Sequence, residues 1–274
     1  MRPVEGGFLV KAALTASTAR LPVKGKAPVI LNDLGFEGDM TLDAAFQSLH
    51  IEKSKVTWGD LASFDLSGDL SKLKTAQDVE IRIASGRIDL APMIERIMML
   101  GLMPITGDGG GMPVARMVNG SIGLESEIEG SLRRPSSIAV SGRIALQEVT
   151  AGHPVLDKPI TASGYIDFDM QGASSDKVAI RFGSSSAEIG FDVTLDERKK
   201  VGLMKVACGA ALDLEDVIPA ERRGELGMGG GSVKLDVSFE GSPGDLETLF
   251  PMIGDEKPAS EIERAWEQSR LTAA

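Results

Sequence analysis

This chain of 274 residues is poor in the residue types that most often support catalysis, metal binding or nucleic-acid binding. Its one cysteine, Cys208, excludes an internal disulfide and a zinc site built from cysteines. Aromatic residues make up only 4%, with a single tyrosine, which is few for a sugar-binding protein. The formal net charge of −11 argues against a nucleic-acid partner, which needs a basic surface. No run of 18 apolar residues occurs, so no membrane-spanning helix is predicted.

The residues that most resemble catalytic or ligand-binding groups are better explained by structural roles in loops, turns and connectors. His50 and His153, the only histidines, lie over a hundred residues apart, which favours loop or surface positions. Ser184–Ser186 lack a surrounding Gly-x-Ser-x-Gly elbow and fit a polar turn. The glycine runs at Gly107–Pro113 and Gly227–Ser232 lack the Lys-Ser/Thr of a phosphate loop and fit flexible connectors. We therefore predict no catalytic residue, no metal ligand and no cofactor.

The first nineteen residues, "MRPVEGGFLVKAALTASTA", superficially resemble a signal peptide. Lys11 and Thr15 interrupt the apolar stretch, and Glu5 stands where positive charge should dominate. This pattern favours an internal fragment of a longer protein over a cleaved leader.

Apolar and polar residues alternate with a period of two along most of the chain. In Ile138–Leu146, for example, Ile138, Val140, Ile144 and Leu146 alternate with residues such as Ser141 and Arg143. A period of two predicts strands, because successive side chains point to opposite faces. One apolar and one polar face is typical of antiparallel sheets, and turn-forming residues recur every ten to fifteen positions. The pattern predicts a mostly β fold.

Helical patterns are confined to short pieces. "DLAPMIERIMML" begins at Asp89, "DLEDVIPAERRGEL" at Asp213 and "SEIERAWEQSRL" at Ser260, the last with a capping-box glutamate at Glu263. Asp89, Asp213 and Asp245 could together bind a cation, but an aspartate before a helical turn more often accepts from free backbone N–H groups as an N-cap.

Several sequence blocks occur twice in the same order. "GSIGLESEIEGS" at Gly120–Ser131 resembles "GSVKLDVSFEGS" at Gly231–Ser242, and the blocks that precede them also match. These are "RLPVKGKAPV" with "GHPVLDKPI", "GDMTLD" with "GYIDFD", and "ASGRIDLAPMIE" with "ACGAALDLEDVIP". Such order predicts a sheet that grows by repetition. The predicted segments are a first β unit (1–106), a Gly-rich connector (107–117), a second β unit (118–226), the start of a third (227–254) and a C-terminal amphipathic helix (255–274).

The stretches "GRIALQEVTAGHPVLDKPITASGYIDFD", "VAIRFGSSSAEIGFDVTL" and "ALDLEDVIPA" resemble the AsmA-like family, whose members are similar to bridge-like lipid-transfer proteins. The likeness is good over 138–220 and looser over 12–97, and the family's N-terminal membrane anchor is not seen in this chain. The resemblance implies an extended, curled antiparallel sheet around an apolar groove. It also implies a periplasmic location, a tether to the inner membrane in the intact protein, and partners that include phospholipid, bacterial membranes and other envelope proteins.

On this hypothesis the protein is a non-catalytic module of the bacterial envelope that holds phospholipid acyl chains and helps to move them between membranes. Its alternating apolar residues form the predicted lipid groove. They are Ile122, Leu124, Ile128, Val140, Ile144, Leu146, Ile166, Phe168, Val178, Ile180, Phe182, Ile189, Phe191, Val193, Val233, Leu235, Val237 and Phe239.

Two other classes of function remain open. The same strands packed as a closed β core would suit a structural scaffold or an assembly factor for outer-membrane proteins. An enzyme is disfavoured, because no acid, base and nucleophile occur in a recognisable arrangement.

Overall fold

The computed structural model of the chain describes residues 2–4, 6–21, 29–99, 118–152, 158–196, 200–218, 230–242 and 272–273. These residues fall into two compact units, Met1–Val149 (unit 1) and Thr150–Ala274 (unit 2). Strands dominate both units and adjacent strands are antiparallel, so the predicted mostly β fold class is confirmed.

Unit 1 is built from eight strands and one helix. They are β1 (Arg2–Val4), β2 (Gly7–Leu21), β3 (Val29–Asp43), β4 (Leu49–Trp58), β5 (Ala62–Ser71), β6 (Asp78–Asp89), α1 (Leu90–Met99), β7 (Val118–Ser131) and β8 (Arg134–Ala151), with the last two residues of β8 in unit 2. Each strand pairs with the next one along the chain, so the order in the sheet is the order in the sequence.

Unit 2 repeats this plan with fewer described strands. They are β9 (Ile160–Phe168), β10 (Gly172–Phe182), β11 (Ser185–Leu195), β12 (Val201–Asp213), the short helix α2 (Leu214–Val217), β13 (Ser232–Gly241) and β14 (Thr272–Ala273). The described strands again pair in sequence order and form an open series.

The duplicated sequence blocks take up matching positions in the two units. The strand β6 ends at Asp89 and is followed directly by α1, as β12 ends at Asp213 and is followed by α2. Across each sheet, Asp89 lies opposite Ser121 and Asp213 lies opposite Ser232, which are the second residues of the two twelve-residue blocks. The sequence repeat is thus matched by strand–helix–strand segments with the same register.

A second correspondence concerns the hairpin that follows "GDMTLD" and "GYIDFD". The carboxylate of Asp43 accepts hydrogen bonds from the backbone N–H groups of Gln47 and Ser48, and that of Asp169 accepts from Gln171 and Gly172. Aspartate stabilises a turn in this way by satisfying backbone donors that no strand partner reaches. These bonds, the backbone N–H of Gln47 first and the Ser48 hydroxyl next, hold the pKa of Asp43 below its usual value.

Short helices occur where two of the three helical patterns predict them. The pattern from Asp89 forms α1, whereas that from Asp213 is helical over Leu214–Val217 and leaves the described residues soon afterwards. Asp213 Oδ1 accepts from Glu215 N at 2.9 Å, which confirms the predicted N-cap. Asp245, the 107–117 connector and nearly all of the predicted 255–274 helix lie outside the described residues; the two described residues of that range form β14.

The boundary between the two units does not coincide with a predicted segment boundary. The chain divides into its two compact units after Val149, within β8, whereas the sequence repeat suggested a division at 107–117. The predicted list of repeat segments stays a prediction. The compact units follow strand contacts, and β8 belongs by its contacts mostly with the strands that precede it.

Candidate functional site

The candidate site is the apolar side of each sheet, and in unit 1 the register assembles it row by row. One row runs through Leu14, Phe36, Val56 and Phe64, because each lies opposite the next in neighbouring strands. A second row joins residues of β5, β6 and β7. It consists of Gly68, Ile81 and Ile128. Directly opposed residues of a sheet share a face, so these rows form one continuous apolar surface.

The strands β7 and β8 extend this surface at the end of unit 1. Ser121 Oγ donates to Gln147 Oε1 at 2.9 Å, and a Cβ built on Gly123 would stand 3.2 Å from Ala145 Cβ. These contacts place Ser121, Gly123, Ala145 and Gln147 on the polar side. The alternating neighbours of these residues, Ile122, Leu124, Ile144 and Leu146, therefore belong to the apolar side.

In unit 2 the same construction gives a second apolar surface. One row runs across five strands through Gly164, Val178, Ile189, Cys208 and Val237. Another row contains residues of β11, β12 and β13. It consists of Phe191, Val206 and Phe239. The lone cysteine is therefore a half-buried member of an apolar row.

Every residue of the predicted lipid groove lies on the apolar side of its own unit. In unit 1 these are Ile122, Leu124, Ile128, Val140, Ile144 and Leu146; in unit 2 they are Ile166, Phe168, Val178, Ile180, Phe182, Ile189, Phe191, Val193, Val233, Leu235, Val237 and Phe239. This fixes their placement, whereas their contact with lipid stays a prediction.

The sequence analysis missed a large part of both surfaces. Omitted members include Phe36, Met40, Ile51, Val56, Phe64, Leu66, Ile81, Ile83, Met204, Val206 and Leu212. The alternation of apolar and polar residues is clear in β6. In β12 ("VGLMKVACGAALD") it is obscured, because alanine and glycine occupy many positions. Its apolar face becomes clear only from its pairing with β11 and β13.

The apolar side chains are mostly half-buried. Among the described residues, only Ile51, Leu61, Ala62, Val79, Val178 and Phe239 are buried apolar residues. A closed core would bury most of such a face, because cores are packed to the density of organic crystals. The apolar side chains of the two faces are therefore shielded by their neighbours in the sheet and remain partly exposed to solvent on the side away from the backbone.

The opposite side of each sheet carries the charges. Lys11 pairs with Asp39 at 2.9 Å and His50 Nδ1 with Asp69 Oδ1 at 2.8 Å, while Lys177 pairs with Glu188. All of these side chains are well exposed, so each pair contributes little to stability. Their role is to keep this side of the sheet in water.

A broad depression also lies on the charged side of unit 2. It has a volume of about 710 Å³ and runs over β11, β12 and β13. Its floor is formed by Gly190, Ala207 and Gly209, and Glu188 and Asp236 stand at its sides. The small floor residues leave space between larger polar neighbours, so the depression arises from side-chain size.

A tight polar cluster fastens α2 to the turn between β10 and β11. The carboxylate of Asp216 accepts from the N–H and hydroxyl groups of Ser184 and Ser185 and from Lys158 Nζ, at 2.5 to 3.0 Å. Its side chain is only 1% exposed. The Lys158 ammonium, followed by the serine donors, lowers the pKa of Asp216 far below its usual value, against the opposing effect of burial. Ser184 in the turn and Ser185 at the start of β11 therefore hold a buried carboxylate, and the reciprocal contact raises the pKa of Lys158.

Apart from this cluster, the described side chains that could bind a metal ion do not come together in groups of three or more. Within the described residues no three histidine, cysteine or acidic side chains come together as a metal site would require, and His153 lies outside them. None of the described helices combines the length and the apolar character that crossing a membrane requires. Comparison of the chain with protein-family models, curated proteins and solved structures gives no match.

Proposed function

We propose that the protein binds the acyl chains of phospholipids along its apolar faces and acts as a non-catalytic lipid-binding or lipid-transfer module. The observation that carries this proposal is the pair of wide, half-buried apolar faces within the described residues. Exposed apolar patches of this extent mark sites of interaction with apolar partners. The proposal also places the intact protein in the periplasm of a bacterial envelope, tethered to the inner membrane, as the AsmA-like resemblance implies.

The dimensions of the faces suit an acyl chain. Strands of ten to thirteen residues, such as β5, β6 and β12, are roughly 33 to 43 Å long at about 3.3 Å per residue. A hydrocarbon chain lying across several such strands would contact mainly apolar side chains. Each CH₂ group removed from water contributes about 0.8 kcal/mol.

The chemistry of such a face also suits transfer. Hydrophobic contact is not directional, so a bound chain loses little when it shifts from one row of side chains to the next. No polar group has to be released and rebound during that shift.

The proposal is tested by a charge placed on the apolar face. Ile144→Asp should reduce co-purified phospholipid at least several-fold, because a carboxylate in an apolar site costs several kcal/mol. The matched control is Ser141→Asp, in the same strand but exposed on the charged side. Native mass spectrometry of both variants and the unmodified chain measures the bound lipid, and circular dichroism reports folding.

Two outcomes would contradict the proposal. Equal lipid retention in both variants would mean that this face does not hold the lipid. A lipid-free unmodified chain that unfolds outright with Ile144→Asp would favour the scaffold alternative, in which the face is closed by another layer.

A further inference from the structure

Three hairpin turns lie side by side at one end of the unit 1 sheet, and we call them the hairpin tips. They are residues 44–48 between β3 and β4, 72–77 between β5 and β6, and 132–133 between β7 and β8. Backbone hydrogen bonds join them. The N–H of Leu73 donates to the carbonyl of Gln47 at 2.9 Å, and that of Leu132 donates to the carbonyl of Gln77 at 3.0 Å. The tips therefore form one continuous border of the sheet.

Exposed cationic side chains are concentrated at the hairpin tips. They are Lys72, Lys74, Arg133 and Arg134, the last at the start of β8. The described carboxylates in the same turns are already used, because Asp43 accepts from the backbone of its own turn and Asp78 pairs with Lys72 at 2.7 Å. The cations outnumber these carboxylates, so the tips are locally positive in a chain whose net charge is −11.

Exposed apolar side chains accompany these cations. Phe46 is 48% exposed and Leu132 is 47% exposed, while Lys74 Nζ donates to the carbonyl of Ala45, next to Phe46, at 2.8 Å. The φ angle of Phe46 is 56°, in the left-handed region that a bulky residue rarely adopts. Such strained backbone is costly and is concentrated at sites of function. The strained turn keeps an aromatic ring in solvent at the end of the sheet.

The hairpin tips adjoin the last row of the apolar side. Each member of this row lies opposite the next in neighbouring strands. The row consists of Phe8, Leu42, Leu49, Leu70 and Val79. Phe46 stacks on Phe8, with ring centroids 5.8 Å apart. The apolar side of unit 1 therefore continues as far as the tips.

The charged side approaches the same end with acidic residues. Asp69, Glu80 and Glu129 lie directly opposite one another, each two residues from the end of its strand. An anionic surface would repel this row and attract the tips. Charge therefore selects the tips, and not the charged side, as the part of unit 1 that can meet such a surface.

We propose that the hairpin tips of unit 1 dock on the surface of a lipid bilayer that contains anionic phospholipid. The lysines and arginines meet lipid phosphates, while Phe46 and Leu132 enter the apolar boundary beneath them. The continuity of the tips with the apolar side favours a bilayer over an acidic protein as the partner. Docking in this way sets the end of the apolar side against the bilayer, so that an acyl chain passes between them without crossing water. That last role rests on the proposed function, whereas docking itself is measured without it.

Vesicle flotation tests the docking. The unmodified chain should float with phosphatidylcholine vesicles that contain about 30% phosphatidylglycerol, and it should bind phosphatidylcholine alone at least about five-fold more weakly. Raising the ionic strength to about 0.5 M should release the chain from the vesicles, because salt screens exposed charges.

Reversing charge at the tips should weaken this binding. Arg133→Glu combined with Arg134→Glu should reduce binding to the anionic vesicles by about ten-fold or more. The matched control is Lys53→Glu combined with Lys55→Glu, which makes the same change of net charge on exposed residues of β4. This control should retain binding to within about two-fold, because its substitutions lie away from the tips.

Phe46→Gly separates docking from folding. Glycine adopts a φ of 56° without strain, which offsets the loss of the stacked ring. The Tm should therefore stay within about 3 °C of the unmodified value, while vesicle binding should fall by about three-fold or more. A ring with a purely structural role would instead lower Tm and leave vesicle binding unchanged.

Three results would overturn the proposal. The first is an unmodified chain that does not float with the anionic vesicles. The second is equal binding by the tip variant and the β4 control. The third is binding of poly-glutamate but not of vesicles, which would assign the tips to an acidic protein. A chain that floats through its tips but carries no lipid in native mass spectrometry would support docking and contradict the proposed function.

Discussion

At the scale of single residues, the Asp216 carboxylate stands out because it accepts five hydrogen bonds. It is almost wholly buried and satisfies donors from two serines and Lys158, 58 residues away in the chain. A buried carboxylate is tolerated only when its acceptors are fully used. Sequence reasoning predicted a polar turn over Ser184–Ser186, whereas the structure places the turn at Gly183–Ser184 and begins β11 at Ser185. It could not find Asp216 as the partner of these serines, because no local pattern links positions so far apart.

Asp216→Asn should destabilise the protein at neutral pH, because the amide loses the charge that holds Lys158. We expect a Tm lower by about 5 °C, measured by differential scanning calorimetry. The folded pKa of Asp216 is lowered, so its contribution is fully present above the unfolded value of 3.8 and is lost as the pH falls below it. The gap in Tm between the two proteins should therefore shrink below that pH.

The control for this effect is Asp192→Asn, an exposed carboxylate on the charged side of β11. It should leave Tm nearly unchanged at neutral pH. An Asp216→Asn protein whose Tm matches that of the unmodified chain at neutral pH would contradict the role given to the cluster.

At the scale of elements, the alternation of apolar and polar residues was sufficient to predict which side chains share a face of a strand. It was not sufficient to predict the register in which the strands pair. Val178, Ile180 and Phe182 could be assigned to one side from sequence, because each strand keeps its period of two. The bulge between Ser175 and Val178 could not be predicted. An extra residue interrupts the alternation there, so the pattern is regular only before and after the bulge. The position of Cys208 in an apolar row could not be predicted either, because it depends on the pairing of β12 with β11 and β13.

The equivalence of β7 and β13 can be tested by exchanging their sequences. A chain in which Gly231–Ser242 is replaced by the residues of Gly120–Ser131 should retain cooperative thermal unfolding. It should lose about 1 to 3 kcal/mol, because Phe239 is buried and becomes isoleucine. Denaturant unfolding followed by circular dichroism measures the loss.

A second exchanged chain, with the inserted block shifted by one residue, serves as the control. The shift turns the glutamates of the block towards the apolar side, so this strand should not pair stably. Equal stability of the shifted and unshifted chains would mean that β13 does not depend on its register.

At the scale of the whole chain, the net charge of −11 and the apolar faces make different demands on a ligand. If the protein binds phospholipid as proposed, its negative charge would disfavour anionic head groups, whereas the apolar faces would hold acyl chains whatever their head group. The net charge read from the sequence argues against a nucleic-acid partner. It could not identify the lipid, since hydrocarbon contacts are alike for all phospholipids.

Lipid retention should accordingly be insensitive to salt. Raising the ionic strength from about 0.05 to 1 M screens charge interactions but leaves hydrophobic contact intact or slightly strengthened. Phospholipid bound per chain, measured after gel filtration at each salt concentration, should change by less than about two-fold. A steep fall with salt would indicate that head-group charge, and not the apolar face, holds the lipid.

The pairing of each described strand with its successor has a consequence for how each unit is made. Every partner is supplied within a few dozen residues, so the loops that must close are short and folding can advance hairpin by hairpin as the polypeptide leaves the ribosome. For the same reason, a gene that gains or loses an even number of strands disturbs only the junction. The length of such a protein is thus free to vary during evolution.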